Sequence, residues 1–271
     1  MLPSLFLAHG VPTLGLMDIA YTQAVKGLSD QFPKPQAIII LTADTGIGPM
    51  MRISAADRYK GIRPEYGFPE ELADRSYPAK GERQLASDIG ILCSGQGISY
   101  QFDVRSDLDY RAWLPLHLLY PHAEVPVVAV TLNGKLVPEE NYRIGRMLAP
   151  LRELGVLIVA SGSTGHQLKR VSMDSSRPQR FAVTFDEWLS ERIAVWHTED
   201  LFHYEERAPL VEEAVLRGGE PHLSPLFTAM GTAHAEQESA KLHQTYLYGC
   251  LSLNVWMFGK DEREDNDMYE Y

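Results

Sequence analysis

Four short stretches limit what this chain can become: "SLFLAHG" (Ser4 to Gly10), "AIIILTAD" (Ala37 to Asp44), "VPVVAVTLN" (Val125 to Asn133) and "GVLIVASGS" (Gly155 to Ser163). Each is a nearly continuous apolar run, β-branched in most cases, that ends in a small or polar residue and hands over to helical spacing. A strand wetted on one face alternates apolar and polar residues; a run that is apolar throughout needs cover on both faces. Strands of a parallel sheet packed between helices have that need. The expectation is a single α/β domain with a mainly parallel central sheet flanked by helices.

Apolar residues recur near every third or fourth position over Leu16 to Phe32, Glu82 to Ser94, Pro138 to Leu154 and Arg180 to His197, which predicts helices there. The segment Tyr59 to Gly81, "YKGIRPEYGFPEELADRSYPAKG", carries three prolines and reads as a long ordered loop, the kind that borders sites. From about His197 the pattern is helical, and "CLSLNVWMFG" (Cys250 to Gly259) returns as a final strand. Residues 1–259 make one domain on this reading. Residues 260–271, with six acids against two bases, form an acidic tail.

With 271 residues, 45% of them hydrophobic, the chain can bury a large core. Its formal charge of -11 leaves no basic stripe to neutralise phosphates, which argues against nucleic-acid and anionic-membrane partners. Only Cys93 and Cys250 occur, too few for a disulfide framework, so a reducing cytoplasm is the expected setting. The apolar N-terminus lacks a basic leader and meets His9-Gly10 within ten residues, as a strand does and a signal peptide does not.

In open α/β sheets, ligands bind beyond the carboxyl ends of the strands. The residues just past those ends are His9, Asp44, Asn133 and His166, the last in "SGSTGHQL". Two imidazoles and a carboxylate at one rim are ingredients of a first-row metal site with open positions. Each also has a structural role to play instead: His9 as a hydrogen-bonded strand end, Asp44 as the cap of the turn it begins with Thr45-Gly46, His166 in a small-residue turn. His117, in "WLPLHLLYP", lies on an apolar helical stretch and reads as core or pocket wall. His222, in "PHLSPLF", stands between prolines as a residue held at a helix start.

Taken together, "LFLAHGVP", "YGFPEEL" with "YPAKG", "AWLPLHLLYP" with "VPVVAVTLN", "APLRELGVLIVASGSTGHQL", "FDEWL" and "PHLSPLFTAMGTA" resemble, in order, the class III extradiol ring-cleavage dioxygenases. The likeness is to the DOPA dioxygenase branch, related to the catalytic subunit of protocatechuate extradiol dioxygenase. It implies a mononuclear non-haem Fe(II), or zinc in some purified members, and cleavage of a catechol-like or aminophenol-like small aromatic by dioxygen. Carried over by position, it implies His9, Asp44 and His222 as metal ligands, His166 as the acid/base, Tyr110 in the catalytic site, and His117 and Tyr66 as substrate contacts. Two positions depart from the pattern. Asp44 stands where the family's Ser-Ala-His-Trp motif has its histidine, and Asp109-Tyr110-Arg111 replaces Asp-His-Gly.

If Asp44 ligates, two imidazoles and a carboxylate form the facial set of non-haem iron oxygenases, although aspartate reaches roughly an ångström less far than histidine. A phenol at 110 can donate a hydrogen bond but, with a pKa near ~10, does not cycle protons near neutrality. The alternative is a metal-free homologue: a non-catalytic partner subunit, or a hydrolase, decarboxylase or isomerase using His166 and Asp44 for proton transfer. A homo-oligomer or a pairing with a related catalytic subunit stays open.

Overall fold

The computed structural model describes residues 1–62, 70–73, 75–165, 167–175, 177–215 and 221–260. Its strands are β1 (Ser4–Ala8), β2 (Ala37–Asp44), β3 (Met51–Ser54), β4 (Gly61–Ile62), β5 (Tyr100–Asp103), β6 (Asp107–Leu108), β7 (Val127–Asn133), β8 (Val156–Gly162), β9 (Ser239–Leu247) and β10 (Leu251–Phe258). Eight of them make one sheet in the order β5-β3-β7-β2-β8-β1-β10-β9, while β4 and β6 pair as a separate ribbon. The four apolar runs are the four central neighbours β7, β2, β8 and β1, and all three of their pairings are parallel. The flanking strands add antiparallel pairs at both margins: β10 on β1, β9 on β10, and β3 on β7.

The two faces of these central strands are both dry, which is why their sequences do not alternate. On one face Phe6, Ile39, Leu41, Val130 and Ile158 pack under α3 (Arg83–Gly95), α5 (Pro138–Leu148), α6 (Arg180–Ala194) and α10 (Ser224–Thr232). On the other, Leu5, Leu7, Ile38, Ile40 and Val159 pack under α1 (Ala20–Lys26) and α4 (Tyr110–Leu119). The helix axes α5 and α10 come unusually close, because a Cβ on Gly145 would stand 2.0 Å from the Thr228 carbonyl oxygen and one on Gly231 would stand 2.1 Å from that of Tyr142. That docking fixes the start of α10, and with it the approach of the chain through His222.

Several expectations need adjusting. The predicted helix over Leu16 to Phe32 is α1 alone, between 3-10 turns at Pro12–Leu16 and Ser29–Gln31. The predicted Pro138 to Leu154 helix tightens to a 3-10 turn at Ala149–Leu154, where Pro150 removes an amide donor. After His197 the chain forms only short helices, α7 (Thr198–Phe202), α8 (Tyr204–Arg207) and α9 (Val211–Ala214), before α10. It then enters β9, a strand the helical reading did not anticipate; β9 is half-exposed at the sheet edge and carries Lys241, His243 and Gln244 rather than an apolar run. The long loop is partly described: Tyr59 and Tyr77 are buried, with Tyr77 Oη donating to the Tyr120 carbonyl at 3.0 Å. No helix among the described residues is long and apolar enough to cross a membrane.

Candidate functional site

β1 ends at Ala8, and the chain leaves the sheet through His9, which is 1% exposed. Tyr21 of α1 clamps this exit by donating its hydroxyl to the Ala8 carbonyl. From the far end of the sequence, His222 arrives just ahead of α10, and its carbonyl accepts the Ser163 amide at 2.8 Å beyond the end of β8. The result brings two imidazoles 213 residues apart into contact, with His9 Nε2 3.0 Å from His222 Nδ1.

The protons of this pair follow from its neighbour Ser161, which is 1% exposed on β8. The Ser161 hydroxyl donates its single proton to the Arg111 carbonyl at 2.5 Å. Toward His9 Nδ1, 3.4 Å away, the oxygen therefore acts as acceptor, so Nδ1 carries the hydrogen and Nε2 presents its lone pair. His222 Nδ1–H then donates to that lone pair. An ion bound between the two would replace this proton, and two nitrogens held at right angles about 2.1 Å from one ion stand roughly 3.0 Å apart. The pair has the spacing of two neighbouring ligands.

Tyr110, the first residue of α4, sets its ring edge-on to His9, with centroids 6.0 Å apart and planes at 84°. The helix starts there because Asp109 caps it: the carboxylate accepts the Arg111 amide at 2.8 Å. The same carboxylate takes both Arg111 Nε at 3.0 Å and Nη2 at 2.7 Å, a two-point pair that is nearly buried. The Asp-Tyr-Arg departure thus brings a phenol and a neutralised guanidinium to this end of the sheet.

Asp44 behaves differently from the expectation. Its Oδ1 accepts the Gly46 amide at 2.6 Å, the turn cap that its Thr45-Gly46 neighbours allowed. The side chain lines a small polar recess with Thr42, Arg52, Asp103 and Arg105, which neither His9 nor His222 lines. Among the described residues no three histidine, cysteine, aspartate or glutamate side chains gather closely enough to hold a metal. The expected His9–Asp44–His222 set is therefore not assembled here. Topology supplies the reason: β1 and β2 are separated by β8, two strand spacings or about 9.6 Å, and the carboxylate is too short to cross its share of that gap. The two imidazoles meet, and the carboxylate does not join them.

The remaining expected residues divide as follows. Asn133, at the end of β7, turns its amide to the Pro49 carbonyl at 3.3 Å and accepts the Lys135 amide at 3.0 Å, a structural role. His117 lies seven residues beyond Tyr110 on α4, about 10 Å along the helix axis. There it stacks on Trp113 at 4.9 Å, and burial, followed by Arg75 and Lys26, lowers its pKa. His166 and Tyr66 lie outside the described residues. The chain just before His166 is described, however, and is tightly held. Thr164 donates to the buried Asp186 carboxylate at 2.6 Å and accepts from Asn254 at 2.6 Å, while Gly165 has no room for a Cβ, with Ser252 Oγ 2.6 Å from where it would lie.

Sequence reasoning passed over Ser161 and Asp186. Ser161 was visible as a polar residue at the end of an apolar run; Asp186, in "FDEWL", was an acid at a helical position flanked by Phe185 and Leu189, both buried. Burial raises the Asp186 pKa against hydrogen bonds from Ser252, Thr164, Tyr246 and Asn254 that lower it.

Comparison with known proteins agrees with this architecture. The family described as the catalytic LigB subunit of aromatic ring-opening dioxygenase matches residues 7–256. A protein named 4,5-DOPA dioxygenase extradiol from Beta vulgaris is 30% identical over 257 residues, covering 93% of this chain and 95% of that one. One of the same name from Escherichia coli (strain K12) is 31% identical over 196 residues, covering 71% and 70%. Dioxygenase tasH of Hapsidospora irregularis is 29% identical over 272 residues, covering 90% and 82%. The crystal structure of an uncharacterized protein, JW3007, from Escherichia coli K12 shares the fold with a TM-score of 0.77 at 24% identity, over 96% of this chain and 100% of that one. A family match along almost the whole chain, on a sheet that brings His9 and His222 together, shows that this chain belongs to the LigB family of aromatic ring-opening dioxygenases, a family of enzymes.

Proposed function

We propose that the protein is an extradiol-type ring-opening dioxygenase for a catechol-like or aminophenol-like small aromatic. The observation that carries this reading is the His9–His222 pair at 3.0 Å beyond the carboxyl ends of the central strands, in a chain of this family. Iron(II), with zinc as the alternative occupant, is the ion the family likeness suggests, and His9 and His222 are its proposed donors. Because Asp44 does not complete the set, no step is assigned to the ion. His166 is the residue proposed to take and return a substrate hydroxyl proton, and Tyr110, whose ring meets His9, to line the site and donate a hydrogen bond to bound oxygen atoms. Tyr66 and His117 are proposed substrate contacts, and His117 stands about 10 Å beyond Tyr110 along α4.

The test is anaerobic Fe(II) loading followed by metal analysis and oxygen uptake with a panel of catechols and 2-aminophenols. Turnover that disappears in His9→Ala and His222→Ala supports the proposal. Iron-loaded protein that consumes no oxygen with any of the panel refutes it. A second reading, a metal-free homologue acting as a partner subunit or by proton transfer through His166, draws support from the carboxylate at 44 being turned to its own backbone. It requires protein that keeps neither iron nor zinc after loading.

A further inference from the structure

A recess of about 290 Å³ beside α5 takes no part in the site described above. It adjoins the larger recess, about 510 Å³, that His222 lines, and the two share only Glu139 and Phe202. Its wall contains a hydrogen-bond chain whose direction can be derived. The Trp196 indole N–H can only donate, and it donates to Tyr142 Oη at 2.9 Å. The Tyr142 hydroxyl then directs its own proton to His234 Nδ1, also at 2.9 Å. A neutral His234 is thereby held with its proton on Nε2, and the ring lines this recess and a second one beside the α5 C-terminus.

Two arginines, one helical turn apart on α5, line the same recess. Arg146 makes no hydrogen bond or ion pair with another described residue, and Arg143 makes one, to the Gln96 carbonyl at 3.2 Å. In a chain of net charge -11, two solvent-exposed guanidinium groups beside His234, against the single carboxylate of Glu139, give this lining a net positive charge. Burial, with Arg146 adding to it, holds the His234 pKa below its ordinary value. Glu139 supplies the one carboxylate in the lining, while Trp196 and Phe202 supply aromatic surface.

We propose that this recess binds a small organic oxyanion, a carboxylate or phosphate on an apolar body, with its charge held by Arg146, Arg143 and His234 Nε2–H and its body against Trp196 and Phe202. The proposal is independent of the ring-opening activity. Calorimetric titration of the full chain at low ionic strength uses three probes: sulfate, phenyl phosphate and benzoate. Saturable one-site binding is expected, with phenyl phosphate tighter than sulfate because only it reaches the aromatic surface. Arg146→Gln is expected to weaken binding roughly tenfold, the loss of one charge-assisted hydrogen bond. Tyr142→Phe frees the His234 tautomer and should weaken binding by about threefold, from the same energy scale shared between two tautomers. Arg105→Gln, whose guanidinium pairs with Asp103 in a different recess, should bind as wild type does. A stronger signal with benzoate or with phenyl phosphate assigns the head group. Wild-type affinity in Arg146→Gln, or no saturable binding of any probe, overturns the proposal.

Discussion

Gly162, the last residue of β8, is where packing and the site meet, and Gly162→Ala separates them from every other contribution. Its φ lies outside the left-handed region, so alanine meets no backbone strain. The cost is steric: a Cβ would lie 2.4 Å from the His222 carbonyl oxygen and 2.5 Å from Phe6 Cε2, where ordinary contact begins at 3.4 Å. Relief requires the His222 backbone to retreat by about 1 Å, which breaks the 2.8 Å bond from the Ser163 amide. Overpacking together with that lost bond should cost ~2–4 kcal/mol in urea unfolding. The same retreat shifts His222 against His9, and if His222 serves the site as proposed, a 1 Å misplacement is worth about 10²-fold in rate. Gly95→Ala, where nothing lies within 4 Å, is the matched control and should be neutral or slightly stabilising. Gly162→Ala with wild-type stability and wild-type oxygen uptake would refute this account of how His222 is held.

Three further outcomes are expected. Asp44→Asn keeps an oxygen for the Gly46 amide and should stay within about 0.5 kcal/mol of wild type, whereas Asp44→Ala should lose ~1 kcal/mol; iron retained after loading should be equal in wild type and Asp44→Asn, and a fall would mean that the carboxylate is a donor after all. Asp186 has a native pKa raised above its unfolded value, so the native state holds the proton more tightly and stability declines as pH rises from the ordinary aspartate value through the native one. Stability curves of wild type and Asp186→Asn should accordingly shift in favour of Asn as pH rises above the ordinary aspartate range, and parallel curves would contradict the burial argument. Burial pushes the Cys93 thiol up to about 11 and leaves both cysteines with no exposed surface, so a thiol reagent at neutral pH should label neither in the native protein and both in urea. Rapid labelling of the folded chain would show that one of them is accessible.

The central sheet was legible from residues alone because burial on both faces of β1, β2, β7 and β8 forces apolar side chains at successive positions, and that is a local property of the chain. Edge strands leave no such mark. β9 is half-wet, so its polar residues satisfy the solvent side without betraying a strand, and only its pairing with β10 defines it. The family likeness was likewise written in linear order, and it implied His9, Asp44 and His222 as one set, of which the structure brings His9 and His222 into contact. What linear order does not contain is reach. Whether Asp44 joins the imidazoles depends on the two strand spacings across β8 and on a competing amide two residues away, at 2.6 Å, which a short carboxylate meets at no cost in loop entropy. The tautomer of His9 depends on a hydroxyl 152 residues distant and a carbonyl on α4. Composition and pattern determine which surfaces must be hidden. The distances that make donors into a site exist only once the sheet order, the close docking of α10 on α5 and the turn after β2 have all been set.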